Sequence, residues 1–135
     1  SIFYPSEFEI VKPTGQHTDL KFQNIKEGVS IVVAVYPRTK EEYSINAHDY
    51  TKEVMEQLFK QQGLSHKIVY SEKNYLANQR AFMIYYTSPA YNKKAIEVYF
   101  YKENYAFVLT AMANEPNFKD FEEIFKKSIY SLKFN

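Results

Sequence analysis

The chain has 135 residues and a mass of 16.0 kDa, which fits one folded domain, residues 1–135, with a core that needs no metal or disulfide. Its 17 basic and 16 acidic residues leave a net charge of +1, which argues against nucleic acid as a partner and against membrane binding through a basic patch. The absence of cysteine excludes disulfides, thiolate metal sites and cysteine nucleophiles, and three glycines leave little room for a phosphate-binding loop.

The N-terminal part of the chain predicts an irregular segment followed by a hairpin. Prolines and a glycine interrupt the first 16 residues. Polar and apolar residues then alternate over 18–24, which predicts a half-buried strand. A β-branched run over 29–36 predicts the partner strand, and Pro37 ends it.

An amphipathic helix is predicted over residues 47–62. Asn46 and Asp49 have the spacing of a helix cap, and Gly63 stands where a C-terminal glycine belongs. Apolar side chains fall on one arc between these signals, while charged side chains fall on the opposite arc.

Four further strands are predicted over 66–73, 79–87, 95–102 and 105–113, with connections short enough for antiparallel hairpins. Several of these strands are apolar on both faces. A sheet of this kind has to be covered on both faces.

A second helix is predicted after Pro116, because Phe118, Phe121, Phe125 and Ile129 repeat at helical spacing. The elements together predict an α+β fold. Its architecture is an α/β/α sandwich, in which a mainly antiparallel sheet of about six strands is covered by helices on both faces.

Several short strings occur in a fixed order along nearly the whole chain. They are Tyr4-Pro5-Ser6-Glu7-Phe8, Thr18-Asp19-Leu20-Lys21-Phe22, Val29-Ser30-Ile31-Val32-Val33, Asn78-Gln79-Arg80-Ala81-Phe82, Asn104-Tyr105-Ala106-Phe107-Val108 and Phe125-Lys126-Lys127-Ser128-Ile129-Tyr130-Ser131-Leu132-Lys133-Phe134. In this order they resemble the PsbP family, with Phe8 in the place of the family's tryptophan.

The resemblance implies a PsbP-like fold and a role without catalysis. Members of the family are lumenal subunits that support the oxygen-evolving complex, or exported bacterial lipoproteins, and a structurally related branch binds the GTPase Ran. Nothing in this chain matches the N-terminal extension of the plant members, so the photosynthetic role is not carried over. We expect a non-catalytic accessory or binding protein of the bacterial cell envelope.

This expectation includes the compartment and the partners. The protein would be extracytoplasmic, either secreted or lipid-anchored, and would bind an envelope or membrane-complex protein as a monomer. The chain contains no apolar run of the roughly 20 residues that span a bilayer. A lipid anchor would have to lie upstream of Ser1.

Catalytic signatures are weak, and we do not expect an enzyme. No Gly-x-Ser-x-Gly elbow is present, and the three histidines are far apart in sequence. The paired acids at 41–42 and 122–123 are typical of solvated charge rather than of general acid–base catalysis.

Metal binding depends on scattered residues. His48 and Asp49 are adjacent, and His17 and Asp19 are two residues apart on a predicted strand. The favoured interpretation is that Asp49 complements a helix dipole and that the histidines lie at the surface, so no metal or other cofactor is expected. A small-ligand or metal-binding carrier, using a pocket between helix and sheet, stays open as the alternative function.

Two features suggest contact with a ligand or partner. The chain has 13 tyrosines, and some of them would form a stacking platform or would instead fill the core. The tyrosines in question are Tyr85, Tyr86, Tyr99, Tyr101 and Tyr105. The loop 88–94 places Tyr91 beside Lys93 and Lys94, which is typical of an interface but also of a solvated turn.

Overall fold

The structure, a computed structural model, describes residues 1–12 and 18–134. Within these residues the fold is α+β, with one antiparallel sheet of seven strands and two α-helices. In chain order the elements are β1 (Glu9–Val11), β2 (Thr18–Asn24), β3 (Val29–Pro37), α1 (Lys52–Gln61), β4 (Lys67–Leu76), β5 (Gln79–Ser88), β6 (Lys93–Lys102), β7 (Tyr105–Asn114) and α2 (Phe118–Tyr130). Across the sheet the order is β1-β2-β3-β7-β6-β5-β4.

The antiparallel sheet predicted from the sequence is confirmed, with seven strands instead of about six. The additional strand, β1, lies in the segment predicted to be irregular and pairs with β2 at the sheet edge. Three residues are too few to show an alternating pattern. One of them, Ile10, is 61% exposed, so hydrophobic burial gives no signal there either.

The hairpin between β4 and β5 turns later than predicted. The strand predicted over 66–73 continues to Leu76, and the chain reverses at Ala77 and Asn78, which have φ angles of 51° and 65°. A two-residue hairpin turn of the type that matches strand twist needs positive φ at both positions. Leu76, directly before the turn, is 2% exposed, so its burial holds β4 in the sheet up to that point.

The predicted helix over 47–62 is wrong at its N-terminus. The cap at Asn46 forms, because the Asn46 side chain accepts a hydrogen bond from the His48 amide and the Asp49 carboxylate accepts one from the Asn46 amide. However, this cap begins a short 3-10 turn over Ala47–Asp49. Tyr50 is then extended (φ −73°, ψ 147°), and Thr51 caps α1 by accepting a hydrogen bond from the Val54 amide. Two capping signals stand close together here, and the helix follows the second.

Alternate residues of β5 lie in two separate apolar clusters, one on each face of the sheet. Ala81, Met83 and Tyr85 share a cluster with buried residues of α2, and we name this side the α2 face. Phe82, Ile84 and Tyr86 share the other cluster with buried residues of α1, and we name this side the α1 face.

The N- and C-terminal segments are hydrogen-bonded to each other. The amino group of Ser1 donates to the Lys133 carbonyl at 2.7 Å, and the Lys133 amide donates to the Ser1 carbonyl at 2.9 Å. The Phe3 amide donates to Ser131 Oγ at 2.7 Å. The first residues therefore lie along the chain that follows α2.

Replacing Phe125 by alanine is expected to destabilise the fold by about 3–5 kcal/mol, because the ring is fully buried under α2. Phe121→Ala is the matched change on the same helix and should cost less, since Phe121 is only partly buried. Urea unfolding of both variants measures the difference. A loss below about 1 kcal/mol for Phe125→Ala would show that α2 is not docked through this ring.

Candidate functional site

A cavity of about 450 Å³ lies on the α1 face of the sheet. Pockets of roughly 300–1,000 Å³ are the size that holds small ligands. Its walls come from α1, from the segment before α1, and from the strands β5, β6 and β7. The side chains that carry its chemistry are Glu42, Tyr50, His66, Tyr86, Glu97, Tyr99 and Tyr101, and apolar side chains that include Met55, Leu58, Phe59 and Val108 complete it.

Glu97 is the carboxylate in the floor of this cavity. Side chains of β6 alternate between the two faces, so Glu97 lies on the α1 face together with Tyr99, whereas Val98 lies on the α2 face. Thr110 is the residue opposite Glu97 on β7, and its hydroxyl donates to Glu97 Oε1 at 2.7 Å. The Tyr99 hydroxyl donates to Oε2. Both carboxylate oxygens are therefore held in place.

Burial dominates the electrostatics of Glu97. The loss of water raises the pKa of this carboxyl, and the hydrogen bonds from Tyr99 and Thr110 only partly offset that effect. Among residues 1–12 and 18–134, no lysine, arginine or histidine forms an ion pair with Glu97. Glu97 is half-buried, and a carboxylate withdrawn from water without an opposite charge costs stability, so Glu97 is a destabilising group at a pH where it is ionised.

A second hydrogen-bonded group forms the opposite wall. The hydroxyls of Tyr50 and Tyr101 are hydrogen-bonded to each other, and the Tyr101 hydroxyl donates to Glu42 Oε2 at 2.9 Å. The Tyr50 ring lies 6.3 Å from the Tyr99 ring and 6.3 Å from the Tyr101 ring, measured between centroids. Burial raises the pKa of Tyr50, Tyr99 and Tyr101, so these phenols are neutral at physiological pH.

Arg38 holds the chain segment that carries this wall. Its guanidinium donates to the carbonyls of Glu42 at 2.7 Å, Ile45 at 3.1 Å and Glu103 at 2.9 Å. The guanidinium carbon also lies 4.5 Å from the centroid of the Tyr101 ring, within the range of a cation–π contact. One arginine therefore joins the segment before α1 to the turn after β6.

The third wall is aromatic and contains a histidine. His66 stacks on Tyr86, with centroids 4.4 Å apart, and its edge meets Phe59 at 5.0 Å. Burial lowers the pKa of His66, so its ring is neutral at pH 7. Its Nδ1 is buried and has no hydrogen-bond partner among the described residues.

The opposite face of the sheet has a similar pair with a different charge balance. The Tyr85 hydroxyl donates to Glu122 Oε2 on α2 at 3.0 Å. Lys126, one helical turn further along, places its ammonium 3.4 Å from the same oxygen. Glu122 therefore has a tyrosine and a cation as partners, whereas Glu97 has hydroxyl groups alone.

The structure divides the predicted tyrosine platform. Tyr86, Tyr99 and Tyr101 lie together in the cavity. Tyr85 lies on the opposite face, and Tyr105, at the start of β7, is 48% exposed. Tyr99 and Tyr101 both line the cavity and form hydrogen bonds, whereas Tyr86 contributes ring contacts with His66 and Phe59.

Among the weak metal candidates that the structure describes, Asp19 lies apart from His48 and Asp49. His17 lies outside the described residues, and Asp19 is exposed on β2. His48 donates its Nε2 hydrogen to the Asn74 carbonyl at 2.8 Å, while Asp49 accepts from the Asn46 amide at 2.8 Å. Among the residues that the structure describes, no group of three or more acidic or histidine side chains has the geometry of a metal site. His48 and His66 are half-buried, not surface residues.

The side chains of the three predicted partner-binding residues point in different directions. Tyr91 is 75% exposed at the tip of the connection between β5 and β6. Lys93 donates to Asn114 Oδ1 at 2.7 Å, and the Lys94 ammonium lies 5.0 Å from the centroid of the Phe118 ring on the α2 face. The two lysines belong to β6 and point to opposite faces, so Tyr91 is the accessible member of the set.

Sequence analysis did not select Glu97. The signal is present in β6, where a single carboxylate alternates with Ala95 and Tyr99 on a face whose other members are apolar or aromatic. An acid on the buried face of a strand needs a special environment. The adjacent Thr110 becomes visible only with the strand register.

Sequence comparison adds nothing to these observations, but structural comparison does. No protein-family model matches the chain, and no curated protein matches it by sequence. The solution structure of the cyanobacterial PsbP protein CyanoP, from Synechocystis sp. PCC 6803, is similar with a TM-score of 0.69 and 13% identity, over 96% of this chain and 83% of that one.

Two further solved structures have comparable similarity. LpqN of Mycobacterium tuberculosis, described as involved in cell envelope biogenesis, has a TM-score of 0.65 and 9% identity, over 96% of this chain and 79% of that one. PA94 of Pseudomonas aeruginosa, a protein of unknown function, has a TM-score of 0.63 and 12% identity, over 95% and 81%. At such identities the likeness shows the fold, and the fold is PsbP-like, as the sequence predicted.

Glu97→Gln is expected to stabilise the protein at pH 8. The folded-state pKa of Glu97 is raised, so folding is favoured by protonation and loses stability as the pH rises through that pKa. Each pKa unit of the shift is worth about 1.4 kcal/mol, and glutamine removes this loss. The gain should shrink near pH 4, where the wild-type carboxyl is protonated.

Urea unfolding at the two pH values measures this difference. Glu122→Gln is the matched control, because it removes a carboxylate that pairs with Lys126 and gives no comparable gain. A lower stability of Glu97→Gln at pH 8 would contradict the prediction.

Proposed function

We propose that this protein is a non-catalytic accessory or binding protein of the bacterial cell envelope. The observation that carries the proposal is the PsbP-like fold, shared with CyanoP and with LpqN, whose description places it in cell envelope biogenesis.

The same comparison supports a proposal for the compartment. The protein is proposed to act outside the cytoplasm, secreted or lipid-anchored, as a single-domain monomer that contacts an envelope or membrane-complex protein. Within the described residues, neither helix has the length and apolar content that a bilayer crossing requires.

The absence of catalysis is proposed from the state of the hydroxyls that contact the acids. Tyr99 donates to Glu97, and Tyr101 donates to Glu42. Burial raises the pKa of both phenols, which disfavours the ionised form that a nucleophile needs. The hydrogen bonds therefore fit a structural or ligand-positioning network.

Tyr91 is the proposed centre of the partner surface. Its ring is the most exposed of the large apolar or aromatic side chains in the described part of the chain. It is carried by a short 3-10 turn between two long, paired strands, where Asn92 has a left-handed backbone (φ 52°). An exposed ring on a rigid support is typical of an interface anchor.

A small-ligand carrier is the second candidate function, and the cavity on the α1 face favours it. A volume of about 450 Å³ with apolar walls and a few hydrogen-bonding groups is typical of a ligand site. Native mass spectrometry of protein purified from its source organism tests this function directly. A species heavier than the chain by a discrete mass is the expected result, and the bare chain alone would contradict it.

Tyr91→Ala is expected to abolish or strongly reduce cross-linking to an envelope partner, since loss of an interface anchor typically costs at least 2 kcal/mol of binding free energy. Epitope-tagged protein would be cross-linked in cells of the source organism, recovered from the envelope fraction, and its adducts identified by mass spectrometry. The lysines are left unchanged, because Lys93 and Lys94 support Asn114 and Phe118.

Tyr75→Ala is the control for this experiment. Tyr75 is 64% exposed and lies near the other end of β5, so its loss removes a similar ring from a distant surface. Equal recovery of adducts with both variants would remove the Tyr91 surface from consideration. Recovery of the wild-type protein in the cytosol alone would contradict the envelope role.

A further inference from the structure

We propose that the cavity on the α1 face binds an organic cation, a compound with one ammonium group and an apolar body, and that Glu97 supplies the opposite charge. The proposal rests on the carrier function, and it names the class of ligand. Four observations lead to it, concerning charge, hydrogen bonding, aromatic walls and shape.

The first observation is the missing countercharge. Tyr–Glu pairs occur on both faces of the sheet, but only Glu122 has an ammonium group, that of Lys126, 3.4 Å from its carboxylate. The described residues give Glu97 no such partner. A ligand that brings a positive charge would complete the pair at Glu97.

The second observation is the remaining hydrogen-bonding capacity of Glu97. An ionised carboxylate accepts about four hydrogen bonds, and the hydroxyls of Tyr99 and Thr110 account for one at each oxygen. These two bonds fix the orientation of the carboxylate before any ligand arrives. An ammonium group is a donor without acceptors, which is the complement of such a site.

The third observation is the character of the walls near Glu97. Tyr86 and Tyr99 are neutral phenols whose pKa values are raised by burial and by the charge of Glu97, and His66, stacked on Tyr86, is also neutral. Aromatic faces attract a cation through the electron-rich face of the ring. The cation of Arg38 lies over Tyr101 and bonds to backbone carbonyls, so it belongs to the other wall.

The fourth observation is the apolar end of the cavity. Met55 and Phe59 of α1 are buried beside it, and Leu58 also lines it. A volume of about 450 Å³ is larger than an ammonium group needs, so the rest of the ligand would lie against these side chains. The site is therefore suited to an amine with a hydrocarbon or aromatic body and is poorly suited to a free metal ion.

The test compares two probes that differ in charge and little in shape, 2-phenylethylamine and 2-phenylethanol. Titrations followed by amide chemical shifts at pH 8 give both dissociation constants, and an alkylammonium group keeps its charge at that pH. The amine is expected to bind at least about tenfold more tightly than the alcohol, with shifts at residues around Glu97. Glu97→Gln should remove this preference and leave the alcohol's affinity unchanged.

Glu122→Gln is the matched control, since it removes the corresponding carboxylate on the α2 face and should leave amine binding as in the wild type. The free energy of unfolding is measured for both variants. If Glu97→Gln loses amine binding while its stability is unchanged or higher, the loss is due to removal of the carboxylate charge and not to unfolding. Quaternary benzyltrimethylammonium is a third probe. Its binding separates attraction by the aromatic walls from hydrogen bonding to Glu97.

Several outcomes would overturn the proposal. They are equal affinity for amine and alcohol, unchanged amine binding by Glu97→Gln, equal loss of amine binding by Glu97→Gln and Glu122→Gln, and no binding of either probe at millimolar concentration. Native mass spectrometry distinguishes this failure from failure of the carrier function. A neutral or anionic native ligand would support the carrier function and contradict the proposal that the ligand is a cation. The absence of any ligand, together with no amine binding, would contradict both.

Discussion

Burial of β5 on both faces is the constraint from which the rest of the fold follows. Residues 81–86 are all buried, so each side of the strand needs its own cover. On one side, the 13 residues of α2 cover the strand, and the buried side chains of this helix pack in the apolar cluster of the α2 face. On the other side α1 has ten residues, and two short 3-10 turns complete the layer. The thinner cover leaves the cavity, so the candidate site is a consequence of unequal layers.

The high tyrosine content creates a second requirement, because every phenol buried for its ring also buries a hydroxyl. This chain meets the requirement with acids: Tyr101 donates to Glu42, Tyr99 to Glu97, and Tyr85 to Glu122. The three acids differ in what else surrounds them. Glu122 pairs with a lysine, whereas neither Glu42 nor Glu97 forms an ion pair among the described residues. Glu97 differs from Glu42 because hydroxyl groups bind both of its carboxylate oxygens.

Patterns along the sequence predict elements better than they predict the site. The antiparallel sheet, the position of α2 and the PsbP-like fold follow from alternation, helical periodicity and the order of short strings, which are local properties. The start of α1 was misplaced because Asn46 and Thr51 both carry capping signals, and only the packing of Tyr50 selects the second. The sequence does not reveal the site because one partner of Glu97, Tyr99, lies on β6 and the other, Thr110, lies on β7. The register that pairs these two strands cannot be derived from the sequence of either strand alone.

The hydrogen bonds between residue 1 and residue 133 place the two ends of the described chain side by side. Any polypeptide joined before the first residue would emerge close to the end of α2, on the rim of the α2 face. A tether attached there would begin beside α2, whereas the cavity lies on the other face of the sheet. The same neighbourhood makes the fold suited to circular permutation, since a short linker would join the ends without crossing the sheet.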